Sequence, residues 1–272
     1  MIKPNKLLWK VLLGALTIVM GAVLLMIWWG ISKQGVPGPD ALKALETIDS
    51  NAAVEVEFGD WFVIRPTAME PTAGLIIYPG AHSDVRGYVK VMTRIAEAGY
   101  LVVATKMPLG YAFLAPDRAE DVFAAYPNIE HWFLAGHSLG GAMAGQYAAE
   151  QGEKLAGLIF WDSYPPESSN LVDSELPTLL IHRATPQGEK PQIYQDKKNL
   201  FPESTEWVAV PGGNHGQFGD SVGGMYKELG SFVGGEGASE WQATISRDEQ
   251  QAIIVAAMLD WFGKVLNDEL KD

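Results

Sequence analysis

A serine between two glycines is the clearest chemical signal in this sequence. Gly136, Ser138 and Gly140 form a G-x-S-x-G pattern between an apolar run and a helix-forming run. A serine at a tight strand-to-helix turn exposes its hydroxyl, and the flanking glycines leave room for the turn. The first N–H groups of the following helix can stabilise an oxyanion. The pattern favours a nucleophilic serine, and the alternative is a glycine-rich turn with a solvated serine.

A nucleophilic serine needs a base, and the chain has five histidines. His215 lies in a loop directly after the last predicted strand, C-terminal to Ser138. In general-base catalysis, an imidazole takes the serine proton and later returns it to the leaving group. A lone histidine in a glycine-rich loop is more often a surface residue. Together with the serine motif, however, this chain order predicts His215 as the base.

The elements around these residues alternate between strand and helix. The serine follows a predicted strand over 131–135 and precedes a predicted helix over 142–151, and the last strand is predicted over 206–210. A β-hairpin is predicted over 53–64, and the closing helix over 247–265. Alternation with short connections predicts an α/β fold whose mostly parallel sheet is covered by helices on both faces.

Composition excludes several classes of function. The 272 residues are 47% hydrophobic and 19% charged, which suits a large core, and the net charge of −13 argues against binding nucleic acid. The absence of cysteine excludes disulfides, thiolate metal sites and cysteine nucleophiles. Dinucleotide-binding, phosphate-binding and zinc-protease motifs are also absent, so no cofactor and no metal is implied.

The N-terminal segment is predicted to cross a membrane. Residues 11–29 are uncharged and long enough to span a bilayer as a helix, and Trp28 and Trp29 sit at one end. More lysines precede this segment than follow it, which predicts a cytoplasmic N-terminus and an extracytoplasmic remainder. A cleaved signal peptide is the main alternative, but the apolar run is long and no A-x-A site follows. A buried helix of the globular domain is a weaker alternative.

The domain organisation follows from this segment. Residues 1–31 are predicted as the membrane anchor, and residues 32–40 are predicted as a linker containing two prolines and two glycines. Residues 41–272 form the globular domain. Its glycine-rich stretch over 216–237 is either a mobile lid over the site or a passive surface loop.

Several short blocks between residues 78 and 250 match a known family. They are Tyr78-Pro79-Gly80, residues 98–103, residues 136–142, Ser163-Tyr164-Pro165, Gly213-Asn214-His215 with Gln217-Phe218-Gly219, and residues 243–247 with Glu249-Gln250. On these blocks, the chain from about residue 74 to 260 resembles the α/β-hydrolase superfamily, specifically its dienelactone-hydrolase-like branch.

The resemblance implies roles for particular residues. It implies Ser138 as the nucleophile, His215 as the base, and the backbone N–H groups of Leu139 and Ala81 as the oxyanion hole. It also implies hydrolysis of a small-molecule carboxylic ester, although thioesterases and acyltransferases share this serine motif.

The acid of the triad departs from the family pattern. The resemblance places an aspartate in the turn after the strand over 177–182, and Gln187 stands there. Two carboxylates can replace it. Asp162 ends the preceding strand, and Glu189 lies two residues past the usual position. We prefer Asp162, because a strand end positions a group better than a loop does.

The sequence as a whole predicts a membrane-anchored serine hydrolase that cleaves a carboxylic ester through Ser138, His215 and Asp162. Its partners would be the ester and the membrane. The alternative is a catalytically weak or inactive member of the same fold that binds a ligand while tethered to the membrane. Gln187 supports this alternative, since loss of the acid costs about 10⁴ in turnover.

Overall fold

The computed structural model describes residues 6–32, 34–223 and 242–269, and most of its strands join one large sheet. The strands are β1 (Val36–Pro37), β2 (Val54–Phe58), β3 (Trp61–Pro66), β4 (Ala73–Tyr78), β5 (Leu101–Thr105), β6 (His131–His137), β7 (Gly157–Trp161), β8 (Thr178–Ala184), β9 (Glu206–Pro211) and β10 (Ser221–Val222). The large sheet has eight strands in the order β2-β3-β5-β4-β6-β7-β8-β9, and β1 pairs with β10 separately.

The sheet is mostly parallel. The neighbours from β5 through β4, β6, β7 and β8 to β9 all pair in parallel, while β2 and β3 form an antiparallel hairpin at one edge. Strands β4, β5 and β7 are buried along their whole length. Continuous apolar strands of this kind are typical of a parallel sheet covered on both faces. The predicted fold class and the predicted hairpin are confirmed.

Helices cover both faces of the sheet. They are α2 (Pro39–Ile48), α3 (Val89–Glu97), α4 (Arg118–Ala125), α5 (Leu139–Gln151), α6 (Gln192–Asp196) and α7 (Arg247–Glu269), while the N-terminal α1 (Lys6–Ser32) lies outside the core. Successive residues of β4 alternate between two cores because side chains alternate along a strand. Leu75 and Ile77 pack with α2, α3 and α7, whereas Ile76 and Tyr78 pack with α4, α5 and α6.

The helix after the serine begins earlier than the sequence predicts. It starts at Leu139, directly after Ser138, rather than at Ala142. Glycine disfavours helix interiors, so Gly140 and Gly141 hide this first turn from a propensity argument. The early start brings the helix N-terminus to the serine itself.

The N-terminal helix α1 is long and apolar enough to cross a membrane. A 24-residue stretch, Trp9–Ser32, meets this description, and its apolar window is not buried in the structure. A signal sequence near an N-terminus has the same length and composition. The predicted membrane helix is therefore present as a candidate span.

The segment predicted as a linker is hydrogen-bonded to the domain. The Gly35 N–H donates to the carbonyl of His82 at 2.7 Å, and the Gly38 N–H donates to the carbonyl of Asp220 at 2.6 Å. Between them, β1 pairs antiparallel with β10. These bonds attach α1 to the domain within a few residues of its end. Most of the predicted lid, residues 224–237, lies outside the described residues.

Candidate active site

Ser138 occupies a strained turn between β6 and α5. Its φ of 53° and ψ of −122° lie in a region that non-glycine residues rarely adopt. The neighbouring glycines are sterically required. A Cβ on Gly136 would lie 2.4 Å from the Cα of Gly141, and one on Gly140 would lie 2.2 Å from the carbonyl oxygen of Tyr78. The turn is therefore packed against both its own helix and the end of β4.

His215 contacts a carboxylate at the neighbouring strand end. Its Nδ1 lies 2.6 Å from Oδ2 of Asp162, and its side chain remains 20% exposed. His215 begins a short 3₁₀ turn, which Asn214 caps by accepting from the Gln217 N–H at 2.9 Å. Because an ionised carboxylate only accepts, Nδ1 carries the ring proton and Nε2 is the basic nitrogen of the neutral ring.

Asp162 is fully buried and surrounded by donors. Its Oδ1 accepts from the Arg183 backbone N–H at 3.1 Å and from the Tyr194 hydroxyl at 2.7 Å, while Oδ2 also accepts from the Arg183 guanidinium. Burial alone would raise the pKa of this carboxyl. The hydrogen bond from His215 and the charge of Arg183 outweigh burial and hold the pKa below its usual range. Asp162 is therefore ionised at neutral pH.

The two candidate acids occupy different environments. Glu189 is exposed in the turn after β8, and its backbone N–H donates to Oγ1 of Thr185 at 3.0 Å. Gln187 is exposed in the same turn. Of the two carboxylates that the sequence offers, Asp162 is the one in contact with His215.

Ser138, His215 and Asp162 line one cavity of about 200 Å³. Leu139 lines it as well, directly after the serine, and the remaining wall is mainly apolar or aromatic. Ala81 follows β4, the strand beside β6, and is not among the lining residues. A Cβ on Gly140 would lie 2.4 Å from the carbonyl oxygen of Pro79, so the loop that carries Ala81 passes directly against the serine turn.

Sequence reasoning missed the two residues that hold Asp162. Arg183 and Tyr194 come from the end of β8 and from α6, and both side chains are buried. One signal was available. A buried arginine at the end of an apolar strand needs a carboxylate partner, because an unpaired buried charge is costly. The strand over 178–184 continues through Arg183, which pointed to an acid nearby.

A second missed network holds the His215 loop. His137 Nε2 lies 3.1 Å from the carbonyl oxygen of His215, and its Nδ1 lies 3.0 Å from the Tyr88 hydroxyl. A carbonyl only accepts, so Nε2 carries the proton, and Tyr88 must donate to Nδ1. The Tyr88 oxygen in turn accepts from the Gly80 N–H at 3.1 Å. This chain of bonds connects the loop after β4 to the base.

His137 should make the stability of the protein depend on pH. Burial, reinforced by the charge of His215, lowers the pKa of His137 from 6.5 to about 3. Below pH 6.5 the unfolded chain therefore binds a proton that the folded chain does not. The contribution of His137 to the free energy of unfolding is fully present above pH 6.5. It falls by about 1.4 kcal/mol per pH unit as the pH is lowered to about 3.

Chemical denaturation of the full chain in detergent micelles at pH 7.5 and pH 5 measures this slope. His137→Gln should flatten it by about 2 kcal/mol across the interval. Burial also lowers the pKa values of His82 and His182, so part of the slope remains. An unchanged slope in His137→Gln would show that this ring is not the source.

The part of the chain that the structure describes contains no cluster of three or more His, Cys, Asp or Glu side chains that could hold a metal ion.

Comparison with known proteins places this geometry in context. The sequence model of the "Alpha/beta hydrolase family" matches residues 74–252. A protein assigned as a non-heme haloperoxidase in Mycobacterium phage D29 is 23% identical over 145 residues, which are 49% of this chain and 52% of that protein. The chain thus spans about half the length of this curated relative.

Solved structures share the fold at low sequence identity. A protein assigned as a lipase from Acinetobacter baumannii superposes with a TM-score of 0.57 at 12% identity, covering 84% of this chain and 97% of the other. A protein assigned as a dienelactone hydrolase from Klebsiella pneumoniae gives a TM-score of 0.51 at 16% identity, covering 75% and 92%. At such identities the likeness shows the fold alone.

Proposed function

The chain belongs to the alpha/beta hydrolase family, and from this premise we propose that it is a membrane-anchored serine hydrolase that cleaves carboxylic esters. The resemblance to the superfamily is confirmed, while its dienelactone-hydrolase-like branch stays a prediction. One observation carries the proposal. His215 Nδ1 lies 2.6 Å from Asp162 Oδ2, and both residues line a cavity with Ser138.

The reaction begins at the serine. Nε2 of His215 takes the Ser138 proton as Oγ attacks the acyl carbonyl carbon, and the carbonyl oxygen becomes an oxyanion. The backbone N–H groups of Leu139 and Ala81 are the proposed donors to this oxyanion. The tetrahedral intermediate collapses when the imidazolium returns the proton to the leaving alcohol, which leaves Ser138 acylated.

The second half of the reaction uses water. His215 removes a proton from water as the water oxygen attacks the acyl-enzyme, and the same proton returns to Ser138 Oγ as the carboxylic acid leaves. Asp162 remains an anion throughout and stabilises each imidazolium. Its depressed pKa suits this role, because the carboxylate keeps its charge at neutral pH.

Membrane anchoring is the second part of the proposal. The support is α1, whose apolar span of 24 residues lies outside the folded core. The larger number of lysines before this span supports a cytoplasmic N-terminus and an extracytoplasmic hydrolase domain.

A tethered binding module is the competing function. It rests on Gln187, which replaces the family's usual acid. The contact between His215 and Asp162 argues against it, since a carboxylate from another strand end takes the missing position.

Labelling with a fluorophosphonate probe separates the two functions. We expect the full chain in detergent micelles to be labelled covalently, with mass spectrometry locating the adduct on Ser138, because an activated serine attacks the phosphorus. Heat-denatured protein should not react. Ser168 is an exposed serine outside the cavity, so Ser168→Ala serves as the control and should label like the wild type. A folded wild-type chain that fails to react would leave the binding module as the better account.

A further inference from the structure

Exposed apolar side chains cluster on the segment between β5 and α4. We call residues 108–114 the apolar turn, and its Phe113 and Leu114 are 51% and 48% exposed. We propose that the apolar turn docks onto the same lipid bilayer that holds α1. This proposal rests on the membrane anchoring proposed above, and it extends the membrane contact from one helix to the catalytic domain.

The end of α1 packs on the apolar turn. Among the described residues of α1, Gly30 is the buried one. A Cβ on Gly30 would lie 3.5 Å from the Leu109 Cβ, so Leu109 covers this glycine closely. Gly30 follows Trp28 and Trp29, which are the aromatic residues expected at the membrane–water interface. Leu109 therefore lies at the depth of the interface.

The connection between α1 and the domain is too short for the two to separate. Helix α1 ends at Ser32, and Gly35 already donates to the carbonyl of His82. Three residue steps separate Ser32 from Gly35, so the two are at most about 11 Å apart when the chain is extended. The apolar turn is held at the same point, because the His82 N–H donates to the carbonyl of Gly110 at 2.8 Å. This corner of the domain must therefore face the membrane surface.

The side chains of the apolar turn suit an interface. The ring of Tyr111 lies 5.0 Å from that of Phe113 and 4.4 Å from that of His82, so Tyr111 packs against both rings. Moving exposed apolar surface out of water releases free energy. Inserting Phe113 and Leu114 among lipid groups recovers this free energy without any change in fold.

The docking surface borders the catalytic machinery. The short helical turn Ala112–Leu114 packs against α5, the helix that begins beside Ser138. His82, which the apolar turn holds, directly follows Ala81 in the loop after β4. A bilayer under this turn would lie beside the proposed oxyanion loop, and esters carried by membrane lipids are the substrate class that this arrangement favours.

Single-cysteine labelling tests the docking. The chain has no cysteine, so each variant carries one reporter site. Phe113→Cys is labelled with an environment-sensitive fluorophore in the full chain, reconstituted in phosphatidylcholine vesicles containing spin-labelled lipids. We expect a blue-shifted emission and quenching that places the probe about 5–10 Å into the boundary between headgroups and acyl chains.

Two control positions make the outcome decisive. Met69→Cys replaces another exposed apolar residue. Met69 precedes β4 and so lies at the other end of the parallel strands, about 20 Å away. Its probe should be neither shifted nor quenched. Val23→Cys in α1 reports the anchor itself.

If the probe at residue 23 is quenched but the probe at residue 113 is quenched no more than the one at residue 69, the docking proposal is wrong and the anchor remains. No quenching at residue 23 would overturn both. The measurement uses no substrate, so a failure of the hydrolase proposal would be seen separately in the labelling of Ser138.

Discussion

Ser138→Ala, His215→Ala and the double variant are expected to lower kcat for ester hydrolysis to one common floor, about 10⁶-fold below the wild type. The reason is that the serine is a nucleophile only while the histidine removes its proton, so the two residues act as a unit. Once either is lost, removing the other costs nothing further. Residual catalysis would come from oxyanion donors and substrate binding.

This experiment needs a soluble ester with a chromogenic leaving group and the full chain in micelles. Circular dichroism should show that each variant keeps the wild-type fold. If the double variant instead lost the product of the two single effects, the residues would act independently, and the proposed proton transfer between them would be wrong.

Asp162→Asn should lower kcat by about 10⁴-fold, while Glu189→Gln leaves it unchanged. An asparagine can offer its amide N–H to Nδ1, which puts the ring proton on Nε2 and takes the base away from the serine. It also removes the charge that stabilises the imidazolium. Glu189 is exposed and has no part in this contact.

Asp162→Asn should also lower the free energy of unfolding, because Arg183 would lose the carboxylate that neutralises its charge. Breaking a buried ion pair by removing one partner costs about 3–5 kcal/mol. The double variant Asp162→Asn with Arg183→Met removes this charge and should recover stability without recovering activity. Recovery of activity would mean that Asp162 serves only to fold the chain. A large loss in Glu189→Gln would instead move the acid to the turn after β8.

A site residue can be predicted from the sequence when the features that mark it are close to it in the chain. Ser138 could be found because its two glycines, the strand before it and the helix after it are neighbours in the chain. His215 could be found from its order after the last strand. These arguments need no knowledge of which strands are adjacent in space.

For the carboxylate, the sequence leaves Asp162 and Glu189 and favours Asp162, but it cannot show which one contacts His215. Asp162 reaches His215 because β7, β8 and β9 are successive neighbours in the sheet, which brings the ends of these strands together. Strand order is set by the packing of the whole chain and leaves no mark near residue 162. The roles of Arg183 and Tyr194 were hidden for the same reason.

The start of α5 escaped prediction for a different reason. Gly140 and Gly141 are poor helix formers, yet contacts with β4 and Ser163 admit only glycine at these positions. The tertiary packing that demands these residues is also what overrides their weak propensity. A local preference and a functional requirement conflict here, and the requirement prevails.

Three neighbouring strands end close to residues with positive φ. His82, Ser138 and Asp162 have φ values of 55°, 53° and 47°, in the segments that follow β4, β6 and β7. Each such residue costs about 1 kcal/mol or more. Such conformations persist only while the surrounding packing holds them. On warming, these turns should relax once that packing loosens, and we expect heat inactivation to precede the loss of secondary structure.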